Sequence, residues 1–167
     1  MKQGTKLTVL AAGLAVAAAF GSTAALAQAK KADAAAKAGG EQFFPVLSYR
    51  TGAYAPNGIP FANGYVDYLK LVNARDGGID GVKVTFEECE TGYATDKGVE
   101  CYERLKGKGP TGATLFQPLS TGITFAVTDK SFADKIPIIT AGYGRADSVD
   151  GTVFGWNFPL GGTYWDA

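Results

Sequence analysis

The sequence predicts an α/β fold, arranged as a three-layer sandwich around a mainly parallel sheet. From Phe43 onward, short apolar runs of strand length alternate with stretches in which apolar residues recur at helical spacing. Most of the apolar runs are continuous, which is typical of strands covered on both faces. The alternation of the two kinds of segment indicates successive βαβ units.

The first βαβ unit begins with a strand over Phe43–Tyr49, followed by a turn-rich loop up to Gly58. A helix is predicted to begin near Pro60, because a first turn tolerates the missing N–H of proline. It ends at Gly77, since glycine readily adopts the left-handed conformation found after helices. The second strand is Val82–Glu87. The apolar positions at helical spacing are Ala62, Tyr65, Val66, Leu69 and Val72.

The same cycle repeats in the rest of the chain. A second helix from about Thr95 to Lys106 places Cys101, Tyr102 and Leu105 on one side. The remaining predicted segments are a strand at Ala113–Phe116, a helix at Ile123–Phe132, and strands at Ile136–Thr140 and Val153–Phe158. Ligands of such sheets bind beyond the carboxyl ends of the strands, which are here residues 49–58, 117–122 and 141–145.

Residues 1–27 have the features of a secretory signal peptide. Lys2 and Lys6 precede the uncharged apolar run Leu7–Phe20, and Ala25–Ala27 fits the small-residue cleavage rule. We therefore expect cleavage after Ala27 and export to the periplasm. The alternative is a retained membrane anchor, although the apolar run is short for a membrane span.

The rest of the chain divides into a tether and one domain. Residues 28–41 are mainly Ala, Lys and Gly, which predicts a flexible tether, and residues 42–167 form a domain large enough for a core. Without the signal peptide the chain has two more acidic than basic residues. This charge balance gives no reason to expect a nucleic-acid partner.

Cys89 and Cys101 are the only cysteines. Because thiols outside the cytosol tend to oxidise, we expect one disulfide between them. A zinc site is the alternative. With no histidine in the chain, it would need carboxylates such as Glu87, Glu88 or Glu90 to complete about four ligands. The expected state is therefore a disulfide, with no metal and no cofactor.

No enzymatic motif is evident in the loops at the carboxyl ends of the strands. Gly142-Tyr143-Gly144 follows a strand, but Asp147 stands where a dinucleotide fingerprint has its third glycine. Ser120 lies in no G-x-S-x-G elbow, and the chain has no histidine to act as its base. We therefore expect no catalytic residues.

The same loops supply uncharged hydrogen-bonding groups beside aromatic surface. These candidates for ligand binding are Tyr54, Asn57, Ser120, Thr121 and Tyr143. Neutral donors at a helix N-terminus suit a carboxylate, and aromatic rings can cover the apolar body of a ligand. The alternative is that Ser120 only caps the following helix and that the tyrosines are loop surface.

Three segments resemble the branched-chain amino acid binding proteins, the type I periplasmic solute-binding family that serves ABC transporters. The helix end and following turn Asn73–Val84 resembles a signature of that family. Thr51–Gly58 is similar to its first loop, and Ile136–Ala141 is similar to its fourth strand and turn. The similarity extends from about Phe43 to residue 167.

This resemblance implies an extracytoplasmic substrate-binding component that holds a small amino acid, amide or organic carboxylate between two lobes and delivers it to a membrane permease. Ligand contacts of the family fall on Asn57, Ser120, Gly142 and Gly144. Asn57 replaces a frequent aromatic residue and Gly144 replaces a threonine, and both departures weaken the case for an α-amino acid. The resemblance also implies that the chain is an incomplete first lobe, the amino-terminal part of a longer protein. An exported α/β hydrolase and a sensory ectodomain of the same fold are the alternatives.

Overall fold

The computed structural model describes residues 40–141 and 146–166 of the 167-residue chain. The signal-peptide prediction lies outside the described residues, as does the tether prediction up to residue 39. Among the described residues, no helix combines the length and apolar character needed to cross a membrane.

The strands are β1 (Glu41–Ser48), β2 (Lys83–Glu90), β3 (Ile138–Ala141) and β4 (Asn157–Leu160). The helices are α1 (Ala55–Asp76), α2 (Thr95–Leu105) and α3 (Thr121–Asp134), with a 3-10 helix at Ala146–Val149.

The strands form two parallel pairs. β1 pairs with β2 over eight residues, from Glu41 opposite Lys83 to Ser48 opposite Glu90. β3 pairs in parallel with β4, beginning with Ile138 opposite Asn157. Residues 113–116 connect the two pairs through parallel bridges to β1 and β3. The resulting order is β2, β1, residues 113–116, β3 and β4.

Helices cover both faces of this sheet, which confirms the predicted three-layer α/β fold. On one face α1 packs against β1 and β2, and the buried residues of that layer are Phe44, Val46, Val66, Leu69, Val72 and Val84. On the other face α2 and α3 form a second core with Phe43, Leu47, Tyr102, Leu105, Phe116, Ile123 and Val127. Burial of these side chains supplies the main driving force for folding. The predicted inward face of α2 is confirmed, since Cys101, Tyr102 and Leu105 are all buried.

Helix α1 begins five residues earlier than the sequence predicted, at Ala55 instead of near Pro60. Its first turn contains Pro56, a residue that lacks the N–H that a first turn leaves unpaired. Gly58 is also helical and lies directly against Tyr49. Pro60 is therefore inside the helix, where a single proline removes one backbone hydrogen bond. The predicted end is confirmed, because Gly77 caps the helix in the left-handed conformation (φ 71°).

Other boundaries also differ from the predictions. Glu41, assigned to the tether, is the first residue of β1, and β2 continues past Glu87 to Glu90. The predicted strand at Val153–Phe158 is wrong over its first four residues, which form turns before β4. The predicted strand at Ala113–Phe116 forms only isolated bridges.

The predicted disulfide joins Cys89 near the end of β2 to Cys101 in α2, with a Cα–Cα distance of 5.9 Å. The zinc alternative is wrong for these cysteines, since both sulfurs are used in the bond. Over residues 40–141 and 146–166, no group of three or more His, Cys, Asp or Glu side chains is suited to a metal ion. The disulfide fixes α2 to the sheet close to the loops that follow β1 and β2.

Candidate functional site

A cleft of about 240 Å³ lies at the carboxyl-end edge of the sheet. It collects residues from the ends of β1 and β3, from the loops after β2 and before α3, and from α1, α3 and the final residues. Within the described part of the chain all of the lining residues are uncharged, and most have aromatic rings or hydroxyl groups. They are Tyr49, Phe61, Tyr93, Leu119, Ser120, Thr121, Thr124, Thr140 and Tyr164.

Ser120 is both the N-cap of α3 and part of the cleft wall. Its backbone is extended (φ −151°, ψ 130°), and its Oγ accepts a hydrogen bond from the Ile123 N–H at 3.4 Å. Tyr93 also lines the same cleft. Ser120 therefore caps α3, as the alternative interpretation expected, and at the same time lines the cleft. A ligand contact by Ser120 stays a prediction.

The N-terminus of α3 opens at this cleft. The helix is 14 residues long and has no acidic residue in its first turn, so no carboxylate of its own occupies the positive end of its dipole. Thr121, the first helical residue, lies 2.8 Å from the Tyr164 hydroxyl through its Oγ1. Backbone N–H groups at such a terminus are suited to a carboxylate.

One side of the cleft is an aromatic wall with Tyr93 at its centre. Its members are Tyr49, Tyr54, Phe61, Tyr93 and Tyr164. The Tyr93 ring makes an edge-to-face contact with Tyr49 at a centroid distance of 5.0 Å and a tilted contact with Tyr54 at 4.5 Å. Burial and the neighbouring Tyr164 and Tyr49 raise the pKa of the Tyr93 hydroxyl, so it stays neutral at physiological pH. Tyr93 (φ 66°) and Leu119 (φ 57°) both have left-handed backbones. Such conformations are uncommon outside glycine and are concentrated at functional sites.

The carboxylate of Glu90, at the end of β2, connects the two loops that carry this wall. One oxygen accepts hydrogen bonds from Ser48 Oγ (3.0 Å) and the Arg50 N–H (2.9 Å). The other accepts from the Thr51 N–H (3.2 Å), Thr51 Oγ1 (2.9 Å) and the Gly92 N–H (3.0 Å). Burial by itself raises the pKa of Glu90, but these hydrogen bonds outweigh it and hold that pKa below its usual range.

Thr140 is the one cleft residue whose hydroxyl is fully buried and has no hydrogen-bond partner within the described part of the chain. The residue is 6% exposed and lies next to the last position of β3. Most buried hydroxyls are paired, so this one requires an explanation.

The structure brings together some of the predicted site residues. Ser120 and Thr121 line the cleft, and Tyr54 borders it through its contact with Tyr93. Asn57 lies in the first turn of α1, exposed, and is not among the lining residues. Gly142, Tyr143 and Gly144 lie outside the described residues. The ligand contacts predicted for all seven positions remain predictions.

Sequence reasoning missed most of the aromatic wall. Tyr93 was missed because the second strand was predicted to end at Glu87, which hid the fact that residues 91–94 lie at the same sheet edge. Phe61 was missed because α1 was predicted to begin near Pro60. Once Asn57 is placed in the helix, Phe61 lies four residues further on and therefore on the same helix face. Thr140 is the last residue of the predicted strand Ile136–Thr140, and nothing in the sequence marks its hydroxyl as unpaired.

A larger cavity of about 350 Å³ lies between the second half of α3 and the residues before β4. Phe132, Trp156 and Asn157 are among its lining residues, and the Asn157 amide has no partner among the described residues. Because Asn157 begins β4 and the lining residues of α3 come from its second half, this cavity lies at the opposite end of the strands. The carboxyl-end cleft is therefore the better candidate for a ligand site.

The chain is similar to known proteins in both sequence and fold. Residues 41–167 match the family described as periplasmic binding protein. A solved structure described as an ABC transporter permease from the Pseudomonas fluorescens group is 44% identical with a TM-score of 0.71, covering 75% of this chain and 30% of that one. Comparison with curated proteins found no match.

Two more distant structures share the fold. A fatty acid ABC transporter substrate-binding protein from Thermomonospora curvata is 23% identical (TM-score 0.63, covering 75% of this chain and 30% of that one). A branched-chain amino acid transporter substrate-binding protein from Streptococcus pneumoniae, solved with isoleucine, is 18% identical (TM-score 0.60, covering 71% and 33%). The chain therefore spans about a third of the length of these proteins.

Proposed function

Because the chain belongs to the periplasmic binding protein family, we propose that it supplies one wall of the ligand site in the substrate-binding component of an ABC transporter. The family consists of extracytoplasmic solute-binding proteins and not of enzymes. The proposed ligand is a small amino acid, amide or organic carboxylate, and the proposed partner is a membrane permease. Residues 1–27 are proposed to direct export to the periplasm.

The observation that carries this proposal is the position and chemistry of the carboxyl-end cleft. The N-terminus of α3 and the hydroxyls of Ser120 and Thr121 offer neutral hydrogen-bonding groups at one point of the cleft. Aromatic rings line the remainder. This combination binds a polar head group and covers an apolar body without activating a nucleophile.

Ser120 offers a test that separates ligand binding from folding. Aspartate is as good an N-cap as serine, so Ser120→Asp is expected to preserve α3. Its negative charge would occupy the helix N-terminus and repel a carboxylate. We expect near-normal thermal stability and loss of binding, measured by calorimetry against a panel containing leucine, acetamide and benzoate.

Ser120→Gly is the matched neutral variant, because glycine at an N-cap costs only a few tenths of a kcal/mol. Loss of the hydroxyl is expected to weaken carboxylate binding by about 1–3 kcal/mol. If both variants bind every compound of the panel as the wild type does, Ser120 is only a helix cap and this site assignment is wrong. If the wild type binds no compound of the panel, the proposed function itself fails.

A further inference from the structure

The aromatic wall limits the shape of the ligand. Tyr49, Phe61, Tyr93 and Tyr164 all line a cleft of only about 240 Å³. Drug-sized ligands occupy pockets of roughly 300–1,000 Å³, so the room that this wall offers suits one ring with a head group. Aromatic rings favour another flat ring over an aliphatic group of the same size, by about two- to tenfold in affinity.

The charges around the cleft limit the head group. Among residues 40–141 and 146–166, none of the lining residues has an acidic or basic side chain, and the Glu90 carboxylate in the supporting loops already accepts five hydrogen bonds. The described part of this wall therefore offers no free carboxylate to balance a ligand ammonium, and an unbalanced buried charge is costly. The N-terminus of α3, with no acid in its first turn, favours an anion instead.

The Thr140 hydroxyl supplies an independent observation. It has no hydrogen bond to lose among the described residues, so rotation about χ1 can exchange it with the methyl group, which is of similar size. The rotated hydroxyl would donate to, or accept from, a ligand in the cleft that Thr140 lines. A ligand in the cleft is therefore a candidate partner for this buried group.

We infer that the cleft takes a small aromatic carboxylate that has no amino group, and that Thr140 is one of its binding residues. The inference rests on the proposed function, since it names the ligand class of the same cleft. The carboxylate lies at the N-terminus of α3, and the ring lies against the tyrosine and phenylalanine side chains.

Four matched probes test the ligand class with the full chain by saturation-transfer NMR, which detects weak binding, followed by calorimetry. Benzoate is expected to bind best. Cyclohexanecarboxylate tests the ring, benzamide tests the negative charge, and phenylalanine tests the amino group. Each of these three is expected to bind at least about threefold more weakly than benzoate.

Thr140→Val tests the residue, because valine keeps the shape and removes the hydroxyl. We expect benzoate affinity to fall about three- to tenfold with no loss of thermal stability, and Thr140→Ser to retain most of the affinity. Thr128→Val is the matched control. Thr128 is also 6% exposed, but its hydroxyl donates to the Thr124 carbonyl at 2.6 Å and it does not line the cleft. This control is expected to leave benzoate affinity unchanged.

The outcomes separate the two proposals. If leucine or acetamide binds and benzoate does not, the aromatic class is wrong while the proposed function stands. If benzoate binds but Thr140→Val lowers stability and not affinity, the hydroxyl has a structural partner and its assignment to the ligand is overturned. If no probe binds, both proposals fail.

Discussion

Replacing Gly58 by alanine tests how tightly the start of α1 is packed against the cleft. A Cβ at this position would lie 2.0 Å from the Tyr49 carbonyl oxygen and 2.3 Å from its ring. Ordinary contacts need about 3.4–4 Å, so the helix or the Tyr49 backbone must shift by more than an ångström. A backbone carbonyl cannot rotate away as a side chain can.

Two effects of opposite sign decide the result. Alanine raises helix propensity by up to about 1 kcal/mol over glycine, whereas overpacking costs about 1–3 kcal/mol. Because the shift required is large, we expect the upper part of that cost and a net loss of about 2 kcal/mol for Gly58→Ala. Gly64→Ala is the matched control in the same helix, where a Cβ meets nothing within 4 Å, and it should stabilise by about 0.5–1 kcal/mol.

Urea unfolding monitored by tyrosine and tryptophan fluorescence measures both variants. With a slope of about 1–3 kcal/mol/M, Gly58→Ala should lower the midpoint by roughly 1 M, while Gly64→Ala should raise it slightly. Gly58→Ala should also weaken ligand binding, since Tyr49 lines the cleft. Equal midpoints for the two variants would refute the packing argument.

Three further predictions concern stability. Reducing the Cys89–Cys101 disulfide, whose cysteines are 12 residues apart, should cost about 3 kcal/mol by the chain-entropy relation, and unchanged melting after reduction would contradict this. Folding lowers the pKa of Glu88 and of Glu90, so their ionised forms stabilise the fold at any pH above the unfolded-state pKa near 4.3. The urea midpoint should therefore stay constant from pH 7 to 5 and fall below about pH 4. In the variant with both residues replaced by glutamine, this fall should be smaller. Asn73→Ala should cost about 1–3 kcal/mol, because its amide exchanges two hydrogen bonds (2.7 and 2.9 Å) with the β2 backbone; a change below a few tenths would contradict it.

The layered fold could be predicted from the sequence because the spacing of apolar residues along each helix and strand shows which side chains are buried. The apolar positions of α1 and the inward side of α2 are consequences of 3.6-residue spacing, and glycine after α1 encodes its end. The disulfide could be predicted from two cysteines in a chain that is expected to be exported. These features depend on local spacing and composition, which a sequence states directly.

The cleft could be predicted only in part, because it depends on where strands and helices end. The predicted end of β2 is three residues too early, so Tyr93 was not placed at the edge of the sheet. The predicted start of α1 is five residues too late, so Asn57 was placed in a loop. The length of β2 is favoured by ion pairs from other elements, such as Arg50 with Glu88, which no local pattern reveals. Ser120 was found because a serine between a strand and a helix has a definite local role.

The most direct test of the central claim is to map where a ligand contacts the folded chain. In amide-resolved NMR of the 15N-labelled chain titrated with benzoate and, separately, with leucine, the compound that binds should shift most strongly the N–H signals of Thr121, Gly122 and Ile123 at the start of α3. The Thr140 amide should shift with them. If the largest changes instead cluster around Trp156 and Asn157 in the larger cavity, or if neither compound shifts the α3 signals, the carboxyl-end cleft is not the ligand site.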